Sequence, residues 1–220
     1  MPAIAHTTEL LSRGGLHCLR VLHKLLLGRL GCGQPVSSAV WERQYREGYW
    51  DFLRSPVELD HYLAIIELAR DAGAGLRILD VGCGSGRLLQ LMDPALFSRY
   101  VGIDVSQAAI AEAQALKIPN THFFASNFNR WTTDEAFDLI VFNESLSYAL
   151  RPVYQAKRYS RWLGAGGSII ASLADYGNHE TIWRRLGNHF SVREARIVVN
   201  EQKQRWTIKA LAPRRRAQKP

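Results

Sequence analysis

The sequence predicts an α/β fold with a seven-stranded, mostly parallel sheet that closes in a C-terminal antiparallel hairpin. Strand and helix patterns alternate between residues 75 and 175, which is typical of βαβ units. A turn with three glycines at alternate positions separates the first strand pattern from the helix pattern after it. Two segments of alternating apolar and polar residues then end the fold without a helix between them.

Each element is predicted from its own pattern. The first strand is a short apolar run, the fourth is apolar enough to be buried on both faces, and an alanine-rich segment favours the second helix. The predicted strands cover residues 76–81, 100–105, 121–125, 137–142, 168–173, 192–200 and 205–211. The predicted helices cover residues 87–92, 107–116, 153–163 and 179–186, and the glycine-rich residues 164–167 form a predicted turn.

Length and composition suit one soluble α/β domain, with 220 residues, 47% of them hydrophobic and 22% charged. The net charge of +8 is concentrated at the two ends of the chain. Residues 42–212 are close to neutral, which argues against a nucleic-acid-binding surface. The cysteines lack disulfide or metal-ligand spacing and predict a reducing, cytoplasmic environment; they are Cys18, Cys32 and Cys83.

We divide the chain into a basic amphipathic helix with a hinge at 1–36, a main α/β domain at 37–212, and a disordered basic tail at 213–220. Leucines recur on one helical face of residues 9–30 and basic residues on the other. This helix either docks on its own domain or makes a peripheral contact with an anionic membrane or a partner protein, and a transit peptide is a third reading. Its charges exclude a membrane span, and no signal-peptide cleavage pattern follows it.

The glycine turn is the most specific motif in the chain. Gly82, Gly84 and Gly86 alternate, and Asp80 precedes them at the end of the predicted first strand. The dinucleotide fingerprint needs G-x-G-x-x-G, but Arg87 takes the place of its third glycine. The G-x-G-x-G spacing after an acidic residue resembles the first motif of class I S-adenosylmethionine-dependent methyltransferases.

This resemblance implies a three-layer α/β/α sandwich and S-adenosyl-L-methionine as cofactor. Asp80 would bind the ammonium group of the methionine moiety, because a cation prefers a carboxylate. Asp104, at the end of the second strand, would accept hydrogen bonds from both ribose hydroxyls. Asn127 replaces the acidic residue that the family usually places near the adenine amino group, and Phe128 could stack on the ring or belong to the core.

The expected cofactor site combines these residues with others at the same edge of the sheet. Trp50, within an aromatic cluster with Tyr45 and Tyr49, is expected nearest the cofactor, although such a cluster could equally pack on the core. No metal ligand is predicted. The full predicted set of cofactor contacts is Trp50, Asp80, Gly82, Cys83, Gly84, Gly86, Asp104, Val105, Asn127, Phe128 and Asn143.

Residues 41–53, 142–148 and 205–211 resemble a narrower group, the small-molecule methyltransferases related to the nodulation-factor N-methyltransferase. The resemblance implies a methyl acceptor with an amine or hydroxyl group, in a sugar-like compound or another secondary metabolite. Glu144 would act as a base or as an anchor for an ammonium group, and Tyr148 would orient the acceptor. His179 is a second candidate base, and Glu144 could instead cap a helix.

Other functions remain open at this stage. A methyltransferase that acts on RNA or protein is the second enzymatic hypothesis. The near-neutral charge of residues 42–212 and the absence of an Asn/Asp-Pro-Pro-aromatic motif after the fourth strand argue against methylation of a nucleic-acid base. A catalytically silent binding subunit is a third, and the intact acidic and glycine positions argue against it. The glycine spacing disfavours a nicotinamide oxidoreductase. The oligomeric state is not predicted.

Overall fold

The computed structural model describes residues 30–175 and 179–214. The predicted N-terminal helix and the end of the basic tail therefore lie outside the described residues. Among the helices that the structure does describe, none has the length and apolar content needed to span a bilayer.

A single seven-stranded sheet, in the order β3-β2-β1-β4-β5-β7-β6, organises the described chain. Strands β1 to β5 run parallel to one another, and β7 runs antiparallel to both β5 and β6. This confirms the predicted fold class, including the C-terminal hairpin. The strands are β1 Leu76–Val81, β2 Phe97–Asp104, β3 Thr121–Ala125, β4 Phe137–Asn143, β5 Leu163–Ala174, β6 Phe190–Val199 and β7 Arg205–Pro213.

Helices cover both faces of this sheet. They are α1 Ser38–Arg46, α2 Leu59–Ala72, α3 Arg87–Leu91, α4 Gln107–Ala115, α5 Pro152–Tyr159 and α6 His179–Gly187. Neighbouring residues of β1 point to opposite faces, so Ile78 packs in the core under α2, α3 and α4, while Leu79 packs in the core under α5 and α6. The two cores make the predicted three-layer sandwich.

The structure adds two helices, α1 and α2, that our sequence predictions omit. Helix α2 buries Tyr62, Ile65, Ile66 and Ala69, which recur at the i, i+3, i+4, i+7 spacing of an amphipathic helix. It ends at Gly73, where φ is +129° and the amide donates to the carbonyl of Arg70. Both signals were present in the sequence.

Strand β5 differs from its prediction. It begins at Leu163, and the glycine-rich residues 164–167 form an irregularity inside it rather than a separate turn. The pairing with β4 moves from Phe137 opposite Leu163 to Leu139 opposite Ser168, so the extra residues bulge out of the ladder. The helix predicted over 153–163 correspondingly stops at Tyr159 and continues as a 3₁₀ turn, Ser160–Trp162.

The sheet order places a functional crevice at the centre of the molecule. The chain leaves β1 towards β2 on one side, while β4 lies on the other side of β1. The connections thus diverge at the carboxyl ends of β1 and β4, the position where open α/β sheets bind ligands. The predicted hinge approaches this edge as well, because the Gln34 amide donates a 2.8 Å hydrogen bond to the carbonyl of Ser147.

Candidate active site

A cleft of about 280 Å³ opens at the carboxyl ends of β1, β2, β3 and β4. Helix α1 and the turn after it form its outer wall, and the start of α2 forms one end. The predicted site residues that line it are Trp50, Asp80, Gly82, Cys83, Gly84, Asp104, Val105, Asn127, Phe128, Asn143, Glu144 and Tyr148. The structure therefore brings together residues that the sequence separates by almost one hundred positions.

The glycine turn has a shape that side chains would prevent. At Gly84, φ is +54°, and a Cβ atom would lie 2.5 Å from the hydroxyl oxygen of Tyr45 in α1. At Gly82, a Cβ atom would lie 2.5 Å from the Cβ of Ser145, in the loop after β4. The glycines thus let α1 and the β4 loop approach the turn closely, which encloses the cleft.

Three predicted candidates lie outside the described lining of the cleft. Gly86 faces α4, where an added Cβ would lie 2.9 Å from the Cδ1 of Leu116, so it packs between the turn and that helix, and its contact with the cofactor stays a prediction. His179 begins α6. Tyr49 is 60% exposed and meets Trp50 edge-on on the solvent side.

Asp80 is buried with one carboxylate oxygen unsatisfied. Its side chain is 1% exposed, and Oδ2 accepts a 2.6 Å hydrogen bond from the hydroxyl of Tyr100, while Oδ1 has no partner. Burial raises the pKa of Asp80 to about 7; the Tyr100 hydrogen bond opposes this shift, and the nearby charge of Asp104 adds to it. A cationic ligand would give the unpaired oxygen a partner and favour the ionised carboxylate.

Asp104 connects the turn after β1 with the turn after β2 at the edge of the cleft. Its Oδ2 accepts from the Gly84 amide at 3.0 Å, and its Oδ1 accepts from the Ser106 amide at 2.9 Å. Burial raises the pKa of Asp104, and these backbone donors partly offset the effect. Each oxygen keeps a second lone pair, so the carboxylate can still accept from a diol in the cleft.

The expected adenine end of the cleft is exposed to solvent at Asn127. Asn127 is exposed, and its Oδ1 accepts from both the backbone amide and the side-chain Nδ2 of Asn129, at 2.9 and 3.0 Å. The amide oxygen that we expected to bind the adenine amino group therefore already accepts two bonds within the chain. Phe128 lines the cleft and also packs against the core cluster beneath α5, so the ring belongs partly to the core, and its stacking on adenine stays a prediction.

An aromatic wall, consisting of Trp41, Tyr45, Trp50 and Tyr148, closes one side of the cleft. Trp41 stacks on Trp50 with ring centroids 5.2 Å apart and meets Tyr148 edge-on at 4.9 Å. The Nε1 of Trp50 is buried and has no partner. Such a wall excludes water and can attract a cation through the ring faces.

Polar contacts hold α1 in this position. The Oε2 of Glu42 accepts from the Ser106 hydroxyl at 2.8 Å and from the Ala108 amide at 3.2 Å, at the beginning of α4. These hydrogen bonds lower the pKa of Glu42. A second link joins Arg54 to Glu112 of α4. The wall is thus attached to the helix that follows β2.

Glu144 lines the cleft and has a constrained geometry. Its backbone has a φ of +54°, which is uncommon for a residue with a side chain and costs free energy. Oε1 accepts from the Ser172 hydroxyl at 2.6 Å, and Oε2 accepts from the Ala174 amide at 2.8 Å. Burial raises the pKa of Glu144 to about 7, although both hydrogen bonds oppose that shift.

One end of the cleft was not predicted from the sequence. This end is formed by Glu58, His61, Tyr62 and Trp206. His61 is 1% exposed and stacks on Trp206 with a centroid distance of 4.8 Å. Neither of its ring nitrogens has a hydrogen-bond partner, and burial lowers its pKa to about 4, so the imidazole is neutral at pH 7. The amphipathic pattern of α2 was the signal that could have located these residues.

Comparison with known proteins agrees with this geometry. Residues 78–167 match the model of a methyltransferase domain family. Trans-aconitate 2-methyltransferase of Streptomyces avermitilis is 29% identical over 158 residues, which cover 69% of this chain and 56% of that protein. Nodulation protein S of Bradyrhizobium diazoefficiens is 31% identical over 108 residues, covering 48% of this chain and 51% of its own. The matches thus span about half the length of these curated relatives.

Solved structures show the same fold. N-methyltransferase NodS of Bradyrhizobium japonicum, in complex with S-adenosyl-L-homocysteine, superposes with a TM-score of 0.66 and 20% identity, covering 74% of this chain and 91% of that chain. The family match and the shared fold agree with the predicted class: residues 78–167 match a methyltransferase domain, and the described chain shares the fold of NodS. The particular methyl acceptor is a separate question.

Proposed function

We propose that this protein transfers a methyl group from S-adenosylmethionine to an amine or hydroxyl of a small molecule. The observation that carries the proposal is a concentration of unsatisfied polar atoms in one cleft. Buried polar groups normally have partners, and orphaned ones call for a ligand or ordered water. Buried side-chain atoms without a partner belong to five residues of the cleft wall, namely Trp50, His61, Asp80, Arg87 and Asn143.

The residues of the cleft fit S-adenosylmethionine. The unpaired Oδ1 of Asp80 suits the ammonium group, and the remaining lone pairs of Asp104 suit the ribose hydroxyls. The ring faces of the aromatic wall suit a sulfonium cation. The bound cofactor would supply an activated methyl group, and the chain's own contribution is to position the acceptor and exclude water.

A small acceptor is favoured over a macromolecule. Helix α1 and the aromatic wall cover the cleft, and Tyr45 contacts the glycine turn directly, so the crevice is narrow. The near-neutral charge of residues 42–212 offers little attraction for a phosphate backbone. We therefore propose a metabolite-sized methyl acceptor.

Isothermal titration calorimetry tests the proposal. S-adenosylmethionine should bind with a Kd of about 1 μM to 1 mM, the range typical of enzyme ligands. Asp104→Ala should weaken binding at least tenfold, whereas the matched control Asp134→Asn, at an exposed position, should not. Binding of NADH without binding of S-adenosylmethionine would overturn the assignment.

A further inference from the structure

Glu58 carries a buried carboxylate group that forms no hydrogen bond with a described residue. Glu58 precedes α2, and its side chain is 8% exposed. Its carboxylate accepts no hydrogen bond from the described chain, and its nearest basic atom is the Nδ1 of His61, 3.6 Å from Oε2. That distance exceeds a hydrogen bond, and His61 is neutral at pH 7 because its pKa is lowered to about 4. Glu58 thus faces the cleft without a counter-charge.

A second carboxylate shares this end of the cleft. Glu144 lines the same wall, and the charge of Glu58 contributes to the raised pKa of Glu144. Across the described lining, Arg87 is the one lysine or arginine, and it forms no ion pair with either carboxylate. Two neighbouring acidic groups that form no ion pair with a described lysine or arginine predict a positively charged occupant.

The chemistry of this end favours an organic cation over a metal ion. No group of three or more metal-ligating side chains occurs in the described parts of the chain. Trp206 is 2% exposed and lines the cleft at the same end, with one ring face stacked on His61. Carboxylates combined with aromatic rings are suited to ammonium groups.

On these grounds, and resting on the proposed function, we propose that Glu58 and Glu144 form a cation subsite that binds the methyl acceptor as an ammonium ion. The acceptor class is thereby a primary or secondary amine. Asp80 remains the carboxylate for the cofactor, since its unpaired oxygen lies beside the glycine turn.

The transfer needs a lone pair on the acceptor nitrogen, so one N–H bond must break first. Glu58 accepts that proton, and its raised pKa, which results from burial, makes it a stronger base than an exposed glutamate. With S-adenosylmethionine bound, the nitrogen lone pair would form the bond to the methyl carbon, and the electron pair of the broken carbon–sulfur bond would stay on sulfur. Glu58 finally releases the proton to water.

Calorimetry with matched probes tests the subsite without the natural acceptor. Protein saturated with S-adenosylhomocysteine is titrated with benzylamine and with benzyl alcohol, which differ in the cationic group. We expect benzylamine to bind at least tenfold more tightly. Glu58→Gln should abolish this preference and leave the affinity for S-adenosylhomocysteine unchanged, whereas Glu67→Gln, an exposed position on α2, should retain the preference.

The outcomes separate the inference from the proposed function. The cation subsite would be overturned by any of three results: equal affinities for the two probes, no binding of either probe at 50 mM, or a preference for benzylamine that survives Glu58→Gln. None of these results would contradict the proposed methyltransferase activity. A tenfold loss of S-adenosylhomocysteine affinity in Glu58→Gln would assign Glu58 to the cofactor instead. Failure of the wild-type protein to bind S-adenosylhomocysteine would overturn the proposed function itself.

A titration gives an independent reading. The carboxyl carbon of Glu58 in ¹³C-labelled protein should titrate above the range of exposed glutamates, and benzylamine should move its midpoint downward by at least one pH unit. An unchanged midpoint in the presence of benzylamine would contradict the subsite.

Discussion

Asp80→Asn should stabilise the protein without ligand while destroying its cofactor site. Burial raises the pKa of Asp80 from 3.8 to about 7. The folded protein therefore holds this proton more tightly than the unfolded chain, and the free energy of unfolding falls as pH rises from about 4 to about 7. A shift of about three pKa units corresponds to roughly 4 kcal/mol, which is an upper limit for the cost of the ionised Asp80 above pH 7.

The substitution removes this cost because asparagine is neutral and can still accept the hydrogen bond from Tyr100. Urea denaturation of the ligand-free protein at pH 5 and pH 8 measures the effect. At pH 8 the variant should be more stable than wild type by up to about 4 kcal/mol, and the two should converge near pH 4.

Asp134→Asn, at an exposed position, is the control and should follow wild type at both pH values. The same Asp80→Asn protein should lose at least tenfold in affinity for S-adenosylmethionine. A variant no more stable than wild type at pH 8, with an unchanged pH slope, would refute the reasoning about this carboxylate.

Three further predictions concern the turn, the acceptor side and the outer wall. Gly84→Ala should destabilise the protein by about 1–3 kcal/mol in urea denaturation. Gly166→Ala should destabilise it less, because both glycines have a positive φ but only Gly84 faces an atom within 4 Å. Equal losses of stability in the two variants would contradict the Tyr45 contact as the cause. Glu144→Gln should slow methyl transfer at least tenfold while leaving S-adenosylhomocysteine binding intact, and unchanged turnover would exclude a catalytic role. Glu42→Ala should speed amide hydrogen exchange in Ser38–Arg46 because it removes the bonds to Ser106 and Ala108, whereas unaltered exchange would show that other contacts hold the helix.

The cofactor half of the site was predictable because its residues follow strands. In a parallel sheet the carboxyl ends of neighbouring strands meet at one edge, so Asp80 and Asp104 had to lie close together once their strands were recognised. The G-x-G-x-G spacing also distinguished the expected cofactor from a dinucleotide, which needs G-x-G-x-x-G. The bounds of β1 and β3 agree with the prediction because their apolar runs end at polar or glycine residues.

The acceptor half was less accessible from the sequence. Glu58 and Trp206 are separated by almost 150 positions and meet only because α2 packs beside β7, a contact that local patterns do not encode. At Gly86 the motif suggested a contact that the structure does not display. We grouped this glycine with the cofactor contacts, whereas its close neighbour is Leu116. The bulge in β5 was also beyond prediction, since glycines at 164–167 suit a turn and a bulge equally well.

The central claim is that this cleft transfers methyl groups to a metabolite-sized acceptor. The most direct test is to incubate the protein with methyl-labelled S-adenosylmethionine and a whole-cell extract, and to measure which compounds receive the labelled methyl group. We predict that label appears in compounds below about 1 kDa, the size class of small-molecule ligands, and that Asp80→Asn abolishes its transfer. Label confined to RNA or protein, or no transfer above the Asp80→Asn background, would contradict the claim.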